Sequence, residues 1–315
     1  AANPFFLMRV TSNSFPIDLR QQLSELMEKQ STLQMRATTG QRVENASDDP
    51  RSMHKIMGLE EEQRALYQYE KNITNVRENI DVAYSAINSI KKVFDRASEI
   101  ATLADSAKSP EEIRVYSHEV DQMIESAVQL ANTKHRNVYL FGGTKSLTQP
   151  FTVTRDGAGK VSSYTYNGNE RLNLVDVAET SAVTSTFMGV GGTGVLKNNQ
   201  GSDFIKHLID LRDNLESAKA DNIDNIKTTI RKGLEADEDN FIDHYSRIGA
   251  TQARLETSEA IVKKRAFSLG PLISNEADVD LAETLVRLNE IQNAYTAALQ
   301  TGGTLLSTSL LDYLR

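Results

Sequence analysis

Apolar residues recur at alternating three- and four-residue intervals along most of this chain, and that spacing constrains the fold more than any other feature. One series comprises Leu19, Leu23, Leu26, Gln30, Leu33 and Ala37. A longer one comprises Leu66, Tyr69, Ile73, Val76, Ile80, Ala83, Ile87, Ile90, Phe94, Ala97, Ala101 and Ala104, and a third comprises Ile113, Tyr116, Val120, Met123, Ala127 and Leu130. Such spacing gives each helix one narrow apolar stripe, which is buried when helices wrap around one another. The sequence therefore predicts a bundle of long helices.

Two short segments carry the chemistry of helix starts. Asp49 precedes Pro50, so its carboxylate can accept from free backbone amides while proline fills the first helical position. The segment Ser109-Pro110-Glu111-Glu112 predicts a third helix in the same way, with its acids at the positive end of the helix. Helix starts are therefore expected at 50 and 110.

The middle of the chain has a different pattern. Gly142-Gly143 is expected to end the helical region, and period-two runs follow. Residues 151–153 and 161–166 flank Asp156-Gly157-Ala158-Gly159, which predicts a hairpin. Asn167-Gly168 predicts a second turn before Leu172, Leu174 and Val177. Residues 141–201 are therefore interpreted as a small β-rich insertion.

Helical spacing returns after residue 201. Leu234, Phe241, Ile248, Leu255, Val262 and Leu269 lie seven apart without a break, and a last helix is expected after Gly270-Pro271. The predicted fold is mainly α, an elongated bundle of long coiled-coil helices formed by both chain ends with a small β-rich inserted domain. Its predicted segments are 8–50 and 271–315 as terminal assembly helices, 51–140 and 202–270 as the two halves of a helical rod, and 141–201 as the insertion. Residues 1–7 are interpreted as a cloning remnant or an upstream extension.

Composition excludes several classes of function. The net charge is −8 and no basic cluster is present, so a nucleic-acid-binding surface is not expected. The chain has no cysteine, which excludes disulfides, thiolate metal sites and a cysteine nucleophile. No apolar run is long enough for a membrane-spanning helix. The start of the chain lacks the features of a cleaved secretory signal, so any export is expected to proceed without one.

The sequence offers little chemistry for catalysis. Residues 189–194 match the G-x-G-x-x-G dinucleotide pattern, but no alternating strand–helix pattern surrounds them, and a flexible loop is the preferred interpretation. The five histidines are scattered, and His118 near Asp121 is more simply part of a solvated helix face than of a metal site. We therefore expect no enzyme activity, no cofactor and no metal.

Two short motifs at opposite ends of the chain resemble the flagellin family. Thr39-Gly40-Gln41-Arg42 with residues 46–50 resembles the family's N-terminal region, and residues 275–299 resemble its C-terminal region. Residues 138–144, 150–151, 166–169 and 309–314 resemble the branch of that family whose members join the flagellar hook to the filament. The resemblance covers nearly the whole chain from Met8, in matching order.

The resemblance implies a structural subunit of the extracellular bacterial flagellum that is exported without a cleaved signal. The implied partners are hook-associated protein 1, flagellin, further copies of this chain and a flagellar export chaperone. Two alternatives are the filament subunit flagellin itself and a helical coiled-coil protein that is secreted or cytoplasmic. The two chain ends are expected to pair as a coiled coil that packs beside its neighbours' pairs. The residues expected at this assembly interface are Leu19, Leu23, Leu26, Leu33, Arg42, Asp48, Asp49, Leu285, Leu288, Tyr295, Leu299, Leu306, Leu310 and Leu311.

The three charged residues among these lie in the loop between residues 40 and 50. Arg42, Asp48 and Asp49 are expected either to contact a neighbouring subunit or to stabilise a capped turn within the chain. The sequence leaves both possibilities open.

Overall fold

The computed structural model describes residues 14–104 and 108–313, with side chains from residue 17 to residue 304; residues 1–7, interpreted above as a remnant or extension, lie outside this range. The helices are α1 (Ser14–Thr39), α2 (Pro50–Leu103), α3 (Pro110–Ala131), α4 (Phe204–Ser217), α5 (Ala220–Asn225), α6 (Arg231–Ala277) and α7 (Leu281–Tyr313), and a π-helical turn (Ile226–Ile230) joins α5 to α6. The strands are β1 (Lys134–His135), β2 (Val138–Tyr139), β3 (Phe151–Arg155), β4 (Val161–Tyr166), β5 (Leu174–Ala178) and β6 (Ser181–Thr184). Long helices at both ends and a small strand-containing middle confirm the predicted fold class.

The chain divides into two compact units. One comprises the described parts of residues 1–64 and 267–315, and the other comprises residues 65–266. Helices α2 and α6 contribute residues to both.

The core of the 65–266 unit is built from the predicted heptad positions. On α2, Ile73, Ile80, Ile87 and Phe94 lie seven apart and are at most 2% exposed. On α6 the same is true of Phe241, Ile248, Leu255 and Val262. The seven-residue repeat therefore predicted the buried face of both long helices.

Three phenylalanines join helices α2, α4 and α6 within this core. Phe204 and Phe241 have ring centroids 5.4 Å apart at nearly a right angle, and Phe94 lies 5.9 Å from Phe241. All three are buried, and edge-to-face rings contribute about 0.5–1.5 kcal/mol per pair beyond their buried area.

The β region consists of three two-stranded antiparallel hairpins, β1–β2, β3–β4 and β5–β6. The predicted hairpin around residues 156–159 is confirmed, with Phe151 opposite Tyr166. The expected helix end at Gly142-Gly143 is wrong, because α3 ends at Ala131. There the side-chain NH₂ of Asn132 donates to the carbonyls of Val128 and Phe151, and its side-chain oxygen accepts from the Phe151 amide. These bonds turn the chain into the hairpins.

The expected break at Gly270-Pro271 is also wrong, since α6 continues through Pro271 to Ala277. Proline removes one helical hydrogen bond, to the carbonyl of Phe267. Both Pro271 and Phe267 are exposed, the latter by 83%, so water can satisfy that carbonyl. The chain instead breaks at residues 278–280.

Both predicted helix starts are confirmed. The Asp49 carboxylate accepts from the Ser52 amide (3.1 Å) at the start of α2. Ser109 and Glu112 form a reciprocal capping box at the start of α3. Such caps satisfy amides that have no partner within the helix.

Candidate assembly surface

Helices α1 and α7, from opposite ends of the chain, pack against each other. Their pairing is antiparallel, since Gly302 lies beside Leu19 while Ala277 bonds Arg42. One row of the less exposed side chains on each helix forms the seam, a term used below for Leu19, Leu23, Leu26, Gln30, Leu33 and Ala37 of α1 and Thr284, Leu288, Ile291, Tyr295, Ala298 and Gly302 of α7. Most of the seam is only half-buried, because two helices alone cannot cover each other's apolar stripes.

Glycine at position 302 allows the two helices to approach closely. A Cβ atom there would lie 2.4 Å from Leu19 Cδ2, well inside contact distance. Gly302 is buried, and so is Thr284 at the opposite end of the seam. Small residues at a helix contact let the two backbones approach closely.

The structure divides the predicted interface residues into two groups. The seam contains Leu19, Leu23, Leu26, Leu33, Leu288 and Tyr295. Leu285 and Leu299 lie outside it, 49% and 46% exposed, together with Leu281 at 49%. The side chains of Leu306, Leu310 and Leu311 lie outside the described residues. Ile291 and Ala298 were missed as seam positions, although their spacing of seven from Thr284 could have identified them.

The turns between α1 and α2 and between α6 and α7 are bonded to each other through the backbone. Arg42 N donates to the Ala277 carbonyl (2.7 Å), and Val279 N donates to the Gly40 carbonyl (2.9 Å). Gly40 has φ +73°, a conformation that glycine adopts without strain. These bonds position the base of the α1–α7 pair.

Arg42 extends this contact with its side chain. Its guanidinium donates to the Glu276 carbonyl (2.8 Å), to Ser52 Oγ (3.0 Å) and to the Asp49 carboxylate (3.4 Å). Lys55 pairs with the Glu276 carboxylate at 2.9 Å. We refer to Arg42, Asp49, Ser52, Lys55 and Glu276 as the clasp.

Asp48 has a local role, accepting from the amides of Glu44 and Asn45. All three charged residues that the sequence singled out in this loop therefore bond within their own chain. These bonds are those expected of a capped turn.

The clasp lowers the pKa values of two of its carboxyl groups. The Ser52 amide and hydroxyl, followed by the Arg42 guanidinium, lower the pKa of Asp49 to about 2. Lys55, with smaller contributions from Ser52 and Arg42, lowers the pKa of Glu276. Both carboxylates are thus held ionised at neutral pH.

The glycine motif at 189–194 has a packing role. Gly189 lies against the ring of Phe151, where a Cβ would come within 2.5 Å, and its amide donates to the Phe141 carbonyl. The side-chain NH₂ of Asn240 donates hydrogen bonds to the carbonyls of Gly194 and Val195. The loop follows an antiparallel hairpin and ends ten residues before α4 begins, so it lacks the βαβ geometry that binds a pyrophosphate.

A buried carboxylate in the 65–266 unit is held by hydrogen bonds that link parts of the fold. Asp237 is fully buried and accepts from Ser202 Oγ (2.8 Å), the Asp203 amide (3.0 Å) and His207 Nδ1 (2.7 Å). The other ring nitrogen of His207 faces Gly233 on α6, where a Cβ would come within 2.6 Å. Ser202 and His207 therefore bond the same carboxylate and not each other, unlike a nucleophile and its base.

Neither a metal centre nor a membrane-spanning helix is present in the part of the chain that the structure describes. No group of three or more histidine, aspartate or glutamate side chains in it could hold a metal ion. None of its helices is long and apolar enough to cross a membrane.

Comparison with known proteins gives consistent matches. The bacterial flagellin N-terminal helical region matches residues 10–146. Flagellar hook-associated protein 3 of Salmonella typhimurium is 24% identical over 261 residues, which cover 77% of this chain and 80% of that protein.

Solved structures share the fold. One from Vibrio parahaemolyticus, described as a flagellar hook-associated protein, has a TM-score of 0.61 at 19% identity and covers 73% of this chain and 100% of its own. The flagellar junction protein FlgL of Legionella pneumophila has a TM-score of 0.52 at 15% identity, over 71% of this chain and 99% of its own. The resemblance to the flagellin family that the sequence motifs indicated is confirmed.

Proposed function

We propose that this chain is a structural subunit of the bacterial flagellum that joins the hook to the filament, because the curated proteins that align along most of it are flagellar hook-associated proteins 3. The observation that carries the proposal is the antiparallel pair of terminal helices. Its seam is half-buried, and leucines beside the seam remain about half exposed. A helix pair of this kind gains stability when neighbouring copies cover the remaining apolar surface.

The exposed leucines are what an assembling subunit requires. Full burial of one leucine side chain is worth about 1.5–3 kcal/mol, so half-exposed leucines retain a useful share of that free energy for assembly. Leu285 and Leu299 are the predicted residues that serve neighbours, while Leu288 and Tyr295 serve the pair itself.

The proposed partners follow from a position between the hook and the filament. The chain contacts hook-associated protein 1 on the hook side, flagellin on the filament side and further copies of itself around the ring. It reaches the extracellular flagellum without a cleaved signal, accompanied inside the cell by an export chaperone. The chain acts as a structural component and not as an enzyme, in agreement with its relatives.

Two other functions are less favoured. A filament subunit and a secreted or cytoplasmic coiled-coil protein share the helical pattern, but the relatives that align along most of this chain are hook-associated proteins.

Electron microscopy of cells that lack this gene tests the proposal, with flagellin in the medium measured in parallel. We expect hooks without filaments and abundant shed flagellin. Hooks without filaments and no shed flagellin would identify the filament subunit instead, and normal filaments would exclude a flagellar role.

A further inference from the structure

The α1–α7 pair has two chemically different edges, and on α7 they are separated by the seam. Arg287 and Glu290 directly precede seam positions and are exposed and charged. Leu285, Gln292 and Leu299 directly follow seam positions and are exposed and neutral. Each residue advances about 100° around a helix, so the two rows lie on opposite sides of the seam.

Helix α1 repeats this division. Glu25 and Lys29 directly precede seam positions, whereas Ser24, Met27 and Ser31 directly follow them. Arg20, which follows Leu19 near the start of α1, is the one charged residue in the second row. The rows that precede the seam meet at one edge of the pair, since the same groove is lined by residues from both. The rows that follow the seam therefore meet at the other edge.

The charged edge is a groove of 680 Å³ with an apolar floor. We call it the rimmed groove; its lining is Glu25, Glu28, Lys29, Thr32, Leu33, Arg36, Arg287, Glu290 and Ile291. Half-buried Leu33 and Ile291 form the floor, and the rim carries three acids and three bases. Lys29, Arg36 and Glu290 form no ion pair with any residue that the structure describes.

The opposite side, which we call the neutral edge, is formed by Leu285, Gln292 and Leu299 of α7 with Met27 of α1. Met27 is 60% exposed and the two leucines about half. From Leu285 to Leu299 the row spans about 21 Å, and the α1 wall of the groove from Glu25 to Arg36 spans about 16 Å. The row is thus long enough to fill the groove.

Charge decides what can occupy the rimmed groove. A charged helix face placed on its apolar floor would lose hydration without gaining a fixed partner, which is costly. The neutral edge brings two leucines, a methionine and one amide, and the only charge in its described rows is Arg20, near the start of α1. Its entry leaves the balanced rim in contact with water. An apolar helix face that enters a groove in this way is a recurrent mode of recognition.

We infer that neighbouring copies of this chain pack with the neutral edge of one α1–α7 pair in the rimmed groove of the next. This contact rests on the proposed function, because it requires that copies assemble side by side. It joins two different surfaces, so it can repeat around a ring or tube, whereas contact between two neutral edges would stop at a dimer.

Site-directed cross-linking tests this contact. Because the chain has no native cysteine, only the introduced thiols of this chain can react. Thr32→Cys places a thiol in the rimmed groove, and Gln292→Cys places one on the neutral edge. The two full-length variants are co-expressed in cells that lack the native copy, and purified flagella are treated with a short bismaleimide. We expect a dimer band from the mixed cells and its loss in cells that carry either variant alone.

Val286→Cys, on the face of α7 directed away from α1, replaces Gln292→Cys in the control and is expected to give no dimer with Thr32→Cys. Lys29→Cys with Thr296→Cys provides a second groove–edge pair, since Thr296 directly follows seam residue Tyr295 and is exposed. A dimer from Gln292→Cys alone, or no dimer from either pair in flagella that contain both variants, would overturn the inference and leave the proposed function intact. Absence of the wild-type chain from purified flagella would overturn both.

Discussion

Replacing Leu285 by alanine should reduce incorporation into the flagellum without affecting the monomer. Leu285 is 49% exposed, so about half of the roughly 1.5–3 kcal/mol for burying a leucine, or about 1 kcal/mol per copy, remains to be gained on assembly. A free energy of about 1 kcal/mol corresponds to a roughly fivefold difference in occupancy. The monomer should change little because the side chain lies outside the α1–α7 seam.

A competition experiment measures this effect. Wild type and Leu285→Ala are co-expressed at equal levels, and their ratio in purified flagella is determined by mass spectrometry. Val286→Ala is the matched control, since Val286 is the next residue, is 57% exposed and faces away from the seam. We expect the Leu285 variant to be depleted about fivefold relative to that control. Equal incorporation of the two variants would refute the assignment of Leu285 to an assembly contact.

Three further predictions concern the chain itself. Phe241→Ala should lower the free energy of unfolding by about 3–5 kcal/mol, because the ring is fully buried against Phe94 and Phe204; a loss below about 1 kcal/mol in urea denaturation would contradict this packing. The clasp holds the pKa of Asp49 at about 2, below its value in the unfolded chain. The contribution of the ionised Asp49 to stability is therefore complete above about pH 4 and is lost as the pH falls through about 2. Carboxyl NMR should find the titration midpoint of Asp49 near 2 and not near 4. Burial alone would lower the pKa of His207, but the hydrogen bond and charge of Asp237 raise it. Protonation of His207 therefore stabilises the fold below about pH 6.5, and this contribution is lost as the pH rises through the raised value. Thermal melts of His207→Gln should therefore lose stability relative to wild type mainly on the acidic side of that range, and an equal loss at all pH values would exclude the titration.

The long helices could be predicted because one physical rule governs them. Ile73, Ile80 and Ile87 on α2 and Ile248 and Leu255 on α6 follow the seven-residue repeat and are buried where it places them. A repeat of this length leaves little choice of buried face, so local sequence and tertiary packing agree.

Helix ends were harder to predict where distant residues decide them. Asn132 ends α3 by bonding Phe151, a partner from the following hairpin that local sequence does not reveal. Pro271 indicated a helix end, but its exposed position allows α6 to continue. Backbone bonds between residues 40–42 and 277–279 instead accompany the break.

The assembly surface was predicted in part. The sequence identified the leucines of both terminal helices but could not separate the seam from the neutral edge, because a wide apolar stripe contains both. Only the position of α1 shows that Leu288 faces the pair and Leu285 does not. The intrachain role of Arg42 likewise depends on Glu276, which lies 234 residues away in sequence.

Localisation of the chain within intact flagella tests the central claim most directly. An epitope inserted at the exposed Asp156–Gly159 turn of the β3–β4 hairpin can be labelled with gold and viewed by electron microscopy. A structural subunit that joins hook to filament predicts label confined to a narrow band where the two meet. Label along the whole filament, or label confined to the cell interior, would contradict that account.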